Sequence, residues 1–134
     1  MKTYTIRDLS KQFNLKPSTL RYYEDLGLLE GVVHDEHQRR VYHQKHIDRL
    51  AAIECFKQAK VPLQKILLFF QYEKDINGNI DQILDLVLSQ KKELLEELED
   101  LKSGLDHLEH KVRFYSKIKE CIKDQKPWPN YDEV

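Results

Sequence analysis

Residues 16–29, Lys-Pro-Ser-Thr-Leu-Arg-Tyr-Tyr-Glu-Asp-Leu-Gly-Leu-Leu, hold the densest set of side chains that could do chemistry. Pro17 suits the first turn of a helix, where its missing N–H costs little. Gly27 suits the position just past the end, where a left-handed residue is wanted. Three turns fit between them. Leu20 and Tyr23 or Glu24 share one face, and Leu26 follows at helical spacing. Ser18, Thr19, Arg21 and Tyr22 then point outward together. Hydroxyls, a guanidinium and phenols on one helix are what meets base edges and phosphates in a DNA major groove.

The other reactive residues exclude more than they suggest. No Ser-His-Asp arrangement, Gly-rich phosphate loop or carboxylate pair in a cleft is visible, so an enzyme is not expected. His43 with His46, and His107 with His110, are i,i+3 pairs without an acidic or Cys ligand to complete a metal site. They read as surface histidines, and neither metal nor cofactor is expected. Cys55 and Cys121 are too few and too far apart for a disulfide framework or a zinc site. Reduced thiols in a cytoplasm are the default. No signal peptide or apolar run near the roughly 20 residues of a membrane span is present.

The elements that would position the outward face follow from pattern. Thr5 is a candidate N-cap and Asp8 its capping-box partner, with Ile6, Leu9 and Phe13 at helical spacing. Residues 6–13 form a first helix, 14–16 a turn, and Pro17 opens the second: a helix-turn-helix over 5–27. Val32 and Val33, the polar tip 34–38, then Arg39, Arg40, Val41 and Tyr42 read as a hairpin wing over 31–42. Arg39 and Arg40 would grip phosphates. Helices over 44–59 and 62–76 complete a head of residues 1–76. Lys57 sits near the end of the first, suited to the helix dipole and to phosphate. Asn77-Gly78-Asn79 would end the second and cap the next.

From Ile80 apolar residues recur in a 4-3 rhythm: Ile80, Leu84, Val87, Leu94, Leu98, Leu101, Leu105, Leu108, Val112, Tyr115 and Ile122, with Lys91 and Lys119 in the two remaining positions. This is a heptad seam over 80–123. A small head cannot bury so long a seam, so a partner helix is required, and another copy is the simplest. Leu94, Leu98, Leu101, Leu105, Leu108, Val112 and Tyr115 would carry dimerisation. Residues 124–134 read as an extended tail. The fold class is therefore mainly α: a winged helix-turn-helix head with a small β-hairpin, then a long C-terminal helix. Charge agrees modestly. Residues 1–60 hold 11 Lys+Arg against 8 Asp+Glu; residues 61–134 hold 11 against 15. A basic front and an acidic rear suit a nucleic-acid-binding head on a solvated tail.

This order of elements resembles the MerR family of bacterial transcription regulators. The resemblance spans nearly the whole chain. It rests most on Thr5-Ile6, on Thr19-Leu20-Arg21-Tyr22-Tyr23-Glu24, on Gly27-Leu28-Leu29, and on Arg40-Val41-Tyr42. Two departures stand out: the family usually has Gly-Tyr where Gln38-Arg39 stand, and often Gly where Lys60 stands. The resemblance implies a homodimer joined by an antiparallel coiled coil. Each head would bind half of an inverted-repeat promoter operator, bending the DNA so that RNA polymerase reads it, with the polymerase as an indirect partner. Lys16, Ser18, Thr19 and Arg21 would approach bases or nearby phosphates. Tyr22 or Tyr23, Arg39, Arg40, Tyr42 and Lys57 would hold the backbone. The ending 107–115, together with Cys55, looks like the branch that responds to aldehyde or oxidative stress, in which Cys55 would be the sensing thiol. The competing reading is a coiled-coil scaffold without sequence-specific DNA binding.

Overall fold

The computed structural model describes residues 2–134. The element order is α1 (Ile6–Phe13), α2 (Pro17–Leu26), β1 (Val33–His34), β2 (Arg40–Val41), α3 (Gln44–Gln58), α4 (Leu63–Glu73), α5 (Ile76–Asp124) and a closing 3-10 turn (Tyr131–Glu133). The chain is thus mainly helical with one antiparallel hairpin, as its pattern indicates. By internal packing it divides into two units, meeting at Gln90 and Lys91.

In the first unit, α1 starts at a complete capping box. Thr5 Oγ1 accepts from the Asp8 amide, and the Asp8 carboxylate accepts from the Thr5 amide at 2.8 Å. That hydrogen bond to Thr5 is the main cause holding the exposed Asp8 carboxyl below its ordinary value. Pro17 stands in the first turn of α2, and Gly27, at φ 85°, ends it. There the Leu28 amide donates to the Tyr23 carbonyl and the Gly27 amide to Glu24, the paired bonds of a Schellman ending. In the wing, Val33 pairs with Val41 and His34 with Arg40. Tyr4 and Tyr42 form a further antiparallel bridge, tying the chain ahead of α1 to the wing's second strand.

Leu9, Leu20, Tyr23, Leu28, Tyr42, Leu50, Ile53 and Ile66 close over one core, each at most 1% exposed. Phe56, Phe69 and Phe70 meet edge to face between α3 and α4, with centroids 4.8–6.2 Å apart. The Arg49 guanidinium lies 3.8 Å from the Phe70 ring centroid.

Both departures from the family pattern fall on left-handed backbone. Gln38 has φ 62° at the wing tip and Lys60 has φ 65° after α3. Lys60 ends its helix with the same pair of bonds seen at Gly27, Val61 N–H to the Phe56 carbonyl and Lys60 N–H to Lys57. A side chain there costs roughly 1–2 kcal/mol. Both positions hold a side chain on a backbone that glycine adopts without that cost.

Three boundaries differ from expectation. The helix expected to run to residue 76 ends at Glu73. The next begins at Ile76, and Asn79 (φ −120°, ψ 15°) is a non-helical residue inside it rather than its cap. The tail over 124–134 is not simply extended. Gln125, at φ 57°, turns the chain out of α5, with Lys126 N–H donating to the Cys121 carbonyl. In this second unit the chain returns along the helix. The Tyr131 ring meets His110 at 4.2 Å and Phe114 at 5.0 Å, with Lys111 Nζ 5.0 Å from its centroid. Ile118 and Cys121 are 8% exposed in this unit.

Candidate nucleic-acid interface

The face of α2 is set by its buried side. Leu20 and Tyr23 point into the core, so Lys16, Ser18, Arg21 and Tyr22 are exposed and Thr19 half-buried. Tyr22 is 51% exposed and Tyr23 1%, so only Tyr22 presents its phenol outward. Tyr23 was one of two tyrosines placed at a phosphate by motif. Its ring is instead packed inside, because it follows Leu20 by three residues on the core stripe. Its hydroxyl accepts from Lys57 Nζ at 3.0 Å. That hydrogen bond is the main cause raising the Lys57 pKa. Lys57 also faces Glu54 at 3.8 Å. It braces α2 against α3, and its charge is already shared.

The wing is held in the same way. Arg40 Nε donates to Glu24 at 2.6 Å, with Glu24 mostly buried and Arg40 half-buried. This charge-assisted bond joins the second wing strand to α2. Arg39 is exposed and pairs with Asp35 at 3.2 Å. Asp35 also accepts from the amides of His37 and Arg39, which shapes the tip. The Arg39 amide bond is the main cause keeping the Asp35 carboxyl below its ordinary value. Tyr42 is fully buried, which corrects its placement at the backbone of DNA. Its hydroxyl has no hydrogen-bond partner among the described residues. Burial first, then the Glu24 charge, pushes its pKa up to about 12.

Pattern alone puts His43, His46, His107 and His110 at the surface, and His46 is buried instead. It is 1% exposed. Its Nδ1 accepts from the His43 amide at 2.9 Å, so Nε2 carries the proton and donates to the Glu30 carbonyl at 2.9 Å. Burial lowers its pKa, against the opposing Glu30 bond. One ring therefore caps α3 and fixes the loop after α2.

Between the start of α1, α2 and the wing lies a cleft of about 480 Å³. Arg7, Arg21, Arg39 and Arg40 line it with Asp35 and Gln38. Arg7 carries no motif, and helical periodicity alone did not single it out. Cys55 is exposed on α3 and Cys121 is buried. Among the described residues no group of three His, Cys, Asp or Glu is placed to hold a metal ion. Among the described residues no helix is long and apolar enough to cross a membrane.

The profile of the MerR HTH family regulatory proteins matches residues 4–73, which is the span of α1 to α4 with the wing between them. The chain belongs to the MerR family. A Haemophilus influenzae relative, an uncharacterized HTH-type transcriptional regulator, is 32% identical over 117 residues, covering 87% of each chain. The Bacillus subtilis HTH-type transcriptional regulator YfmP is 26% identical over 129 residues, covering 94% of this chain and 92% of its own. Among solved structures, HiNmlR, a MerR family regulator lacking the sensor domain and bound to promoter DNA, superposes with a TM-score of 0.76 at 31% identity. It covers 89% of this chain and 90% of its own. As a MerR-family transcriptional regulator, the chain is akin to regulators, not to enzymes.

Proposed function

We propose that this regulator binds an inverted-repeat promoter operator as a homodimer and distorts it, one head on each half-site, in response to a small-molecule or stress signal. The observation that carries the reading is the state of the seam. In a single chain every one of its eleven apolar residues lies open, from 37% at Leu94 to 67% at Leu101. An apolar stripe of that length is stable in water only against a partner.

The charge pattern gives the pairing a direction. Residues 81–100 carry seven acids against two bases, whereas residues 102–121 carry five bases against three acids. Antiparallel pairing sets the acidic half of one helix on the basic half of the other; parallel pairing stacks like on like. The seam is also symmetric about Leu101: Ile80 then faces Ile122, Val87 faces Tyr115, and Leu94 faces Leu108. Two heads related by a twofold axis match a palindromic site. Each presents Lys16, Ser18, Thr19, Arg21 and Tyr22 toward the groove. Bending the duplex costs on the order of a few kcal/mol, met by backbone contacts. RNA polymerase would be reached through the distorted promoter.

Of the two thiols, Cys55 is the one open to a soluble electrophile. Lys57, two residues on, is engaged with Tyr23 and Glu54. A reporter strain carrying Cys55→Ser that still answers aldehyde or oxidant removes the thiol from the proposal.

The binding test is fluorescence anisotropy with the palindromes of the gene's own promoter, an isolated half-site and a scrambled duplex. The expected result is tighter binding to the palindrome, steep salt dependence, and loss of preference in Arg21→Ala. Equal affinity for all three duplexes would favour the scaffold reading.

A further inference from the structure

We infer that Arg7, at the start of α1, belongs to a seat for a DNA backbone phosphate that it forms with Arg21, so that α1 contacts DNA as well as α2 and the wing. The inference rests on the DNA-binding reading and extends it to a residue outside the recognition helix. Four arginines line the cleft between α1, α2 and the wing. Two of them are committed: Arg40 to Glu24 at 2.6 Å and Arg39 to Asp35 at 3.2 Å. Arg7 and Arg21 have no ion-pair partner among the described residues, and both are exposed.

The cleft therefore holds two uncompensated guanidinium groups from two different helices. One carboxylate, Asp35, also lines it, and that group is already bound to Arg39 and to two amides. At the α1 N-terminus the capping box takes the Thr5 and Asp8 amides. The full positive charges available in the cleft are those of the two side chains. A guanidinium presents paired N–H donors in a plane that matches phosphate oxygens. Arg21 leaves α2 beside the groove-facing Ser18 and Tyr22, so a phosphate in the cleft lies on the strand flanking the bases that α2 would read. The cleft, at about 480 Å³, is roomy enough for a phosphodiester rather than a single ion. The ligand class is thus the phosphodiester backbone, and the contact carries position rather than sequence.

The test is the salt dependence of binding by the full-length protein to its promoter palindrome and to a scrambled duplex. Arg7→Gln is expected to lower the slope of log K against log salt by about 0.9 per head. It should weaken both duplexes by the same factor and leave the preference between them intact. Arg7→Lys should restore most of the slope. Circular dichroism melts check that Arg7→Gln folds; if it does not, Arg7→Lys and Arg7→Met carry the comparison. An Arg7→Gln slope equal to wild type, while Arg21→Gln lowers it, overturns the seat and leaves the regulator reading standing. A changed sequence preference in Arg7→Gln also overturns it, because a backbone contact cannot alter base readout. Wild-type protein that binds neither duplex overturns both.

Discussion

Leu50 and Leu101 are the same residue in the same kind of helix, yet Leu50 is fully buried and Leu101 is 67% exposed. The first lies in α3, where α1, α2, α4 and the wing close around one core. The second lies in α5 beyond Gln90, where the tail turns back onto His110 and Phe114. At 100° per residue those two lie on the side of α5 away from Leu101, Leu105 and Leu108. The head closes this core by itself, and the helix leaves its stripe open. The same residue type is thus core in one place and, in the other, lies on the face proposed above for pairing.

Charging the seam should separate the two behaviours most sharply. Leu101→Glu puts a carboxylate against its own copy at the centre of the proposed dimer. Leaving a buried charge unpaired costs roughly 3–5 kcal/mol. Dimer dissociation should rise by more than about 100-fold, read by sedimentation equilibrium, while the far-UV signal of the head is kept.

Truncating the core should do the reverse. Leu50→Ala is expected to destabilise the head by roughly 2–5 kcal/mol. Thermal melts should show the same loss at every protein concentration, whereas any loss from Leu101→Ala should shrink as concentration rises.

A smaller effect comes from His46, with a definite sign. Its folded pKa lies below the ordinary 6.5 because the ring is buried. As pH falls past 6.5 the unfolded chain takes up a proton that the folded head resists. The contribution of His46 is therefore complete above that value and is lost as pH drops through the folded one. Between about pH 7.5 and 5.5 the melting temperature should fall more in wild type than in His46→Gln. An equal fall in both would remove His46 as the cause.

The smallest change should be a gain. Lys60→Gly relieves a side chain from φ 65° and should stabilise the head by about 1 kcal/mol or less, since glycine also loosens the unfolded chain. No gain would mean that Lys60 makes a compensating contact.

How much of this was legible beforehand depends on distance along the chain. The limits of α1 and α2 could be read from Thr5, Asp8, Pro17 and Gly27 because a cap is a contact between residues three to five apart. The long helix could be read because its repeat is local and sustained. The fate of Arg40 could not, since Glu24 lies 16 residues upstream and nothing in the spacing marks the pair. His46 failed for the same reason: its second partner is the Glu30 carbonyl. The tail was misjudged because Tyr131 meets a ring 21 residues back. In the interface, the stripe that buried Leu20 decided between Tyr22 and Tyr23, a choice that motif matching had left open. Arg7 escaped because a lone arginine on a capped helix has no pattern; only the cleft brings it beside Arg21.

The central claim is that one seam holds two heads on one duplex, and native mass spectrometry of the protein on its promoter palindrome addresses it directly. The account predicts two chains per duplex for wild type, and for Leu101→Glu free DNA or a single bound chain under the same conditions. A wild-type complex of one chain per duplex, with affinity untouched by Leu101→Glu, would contradict it.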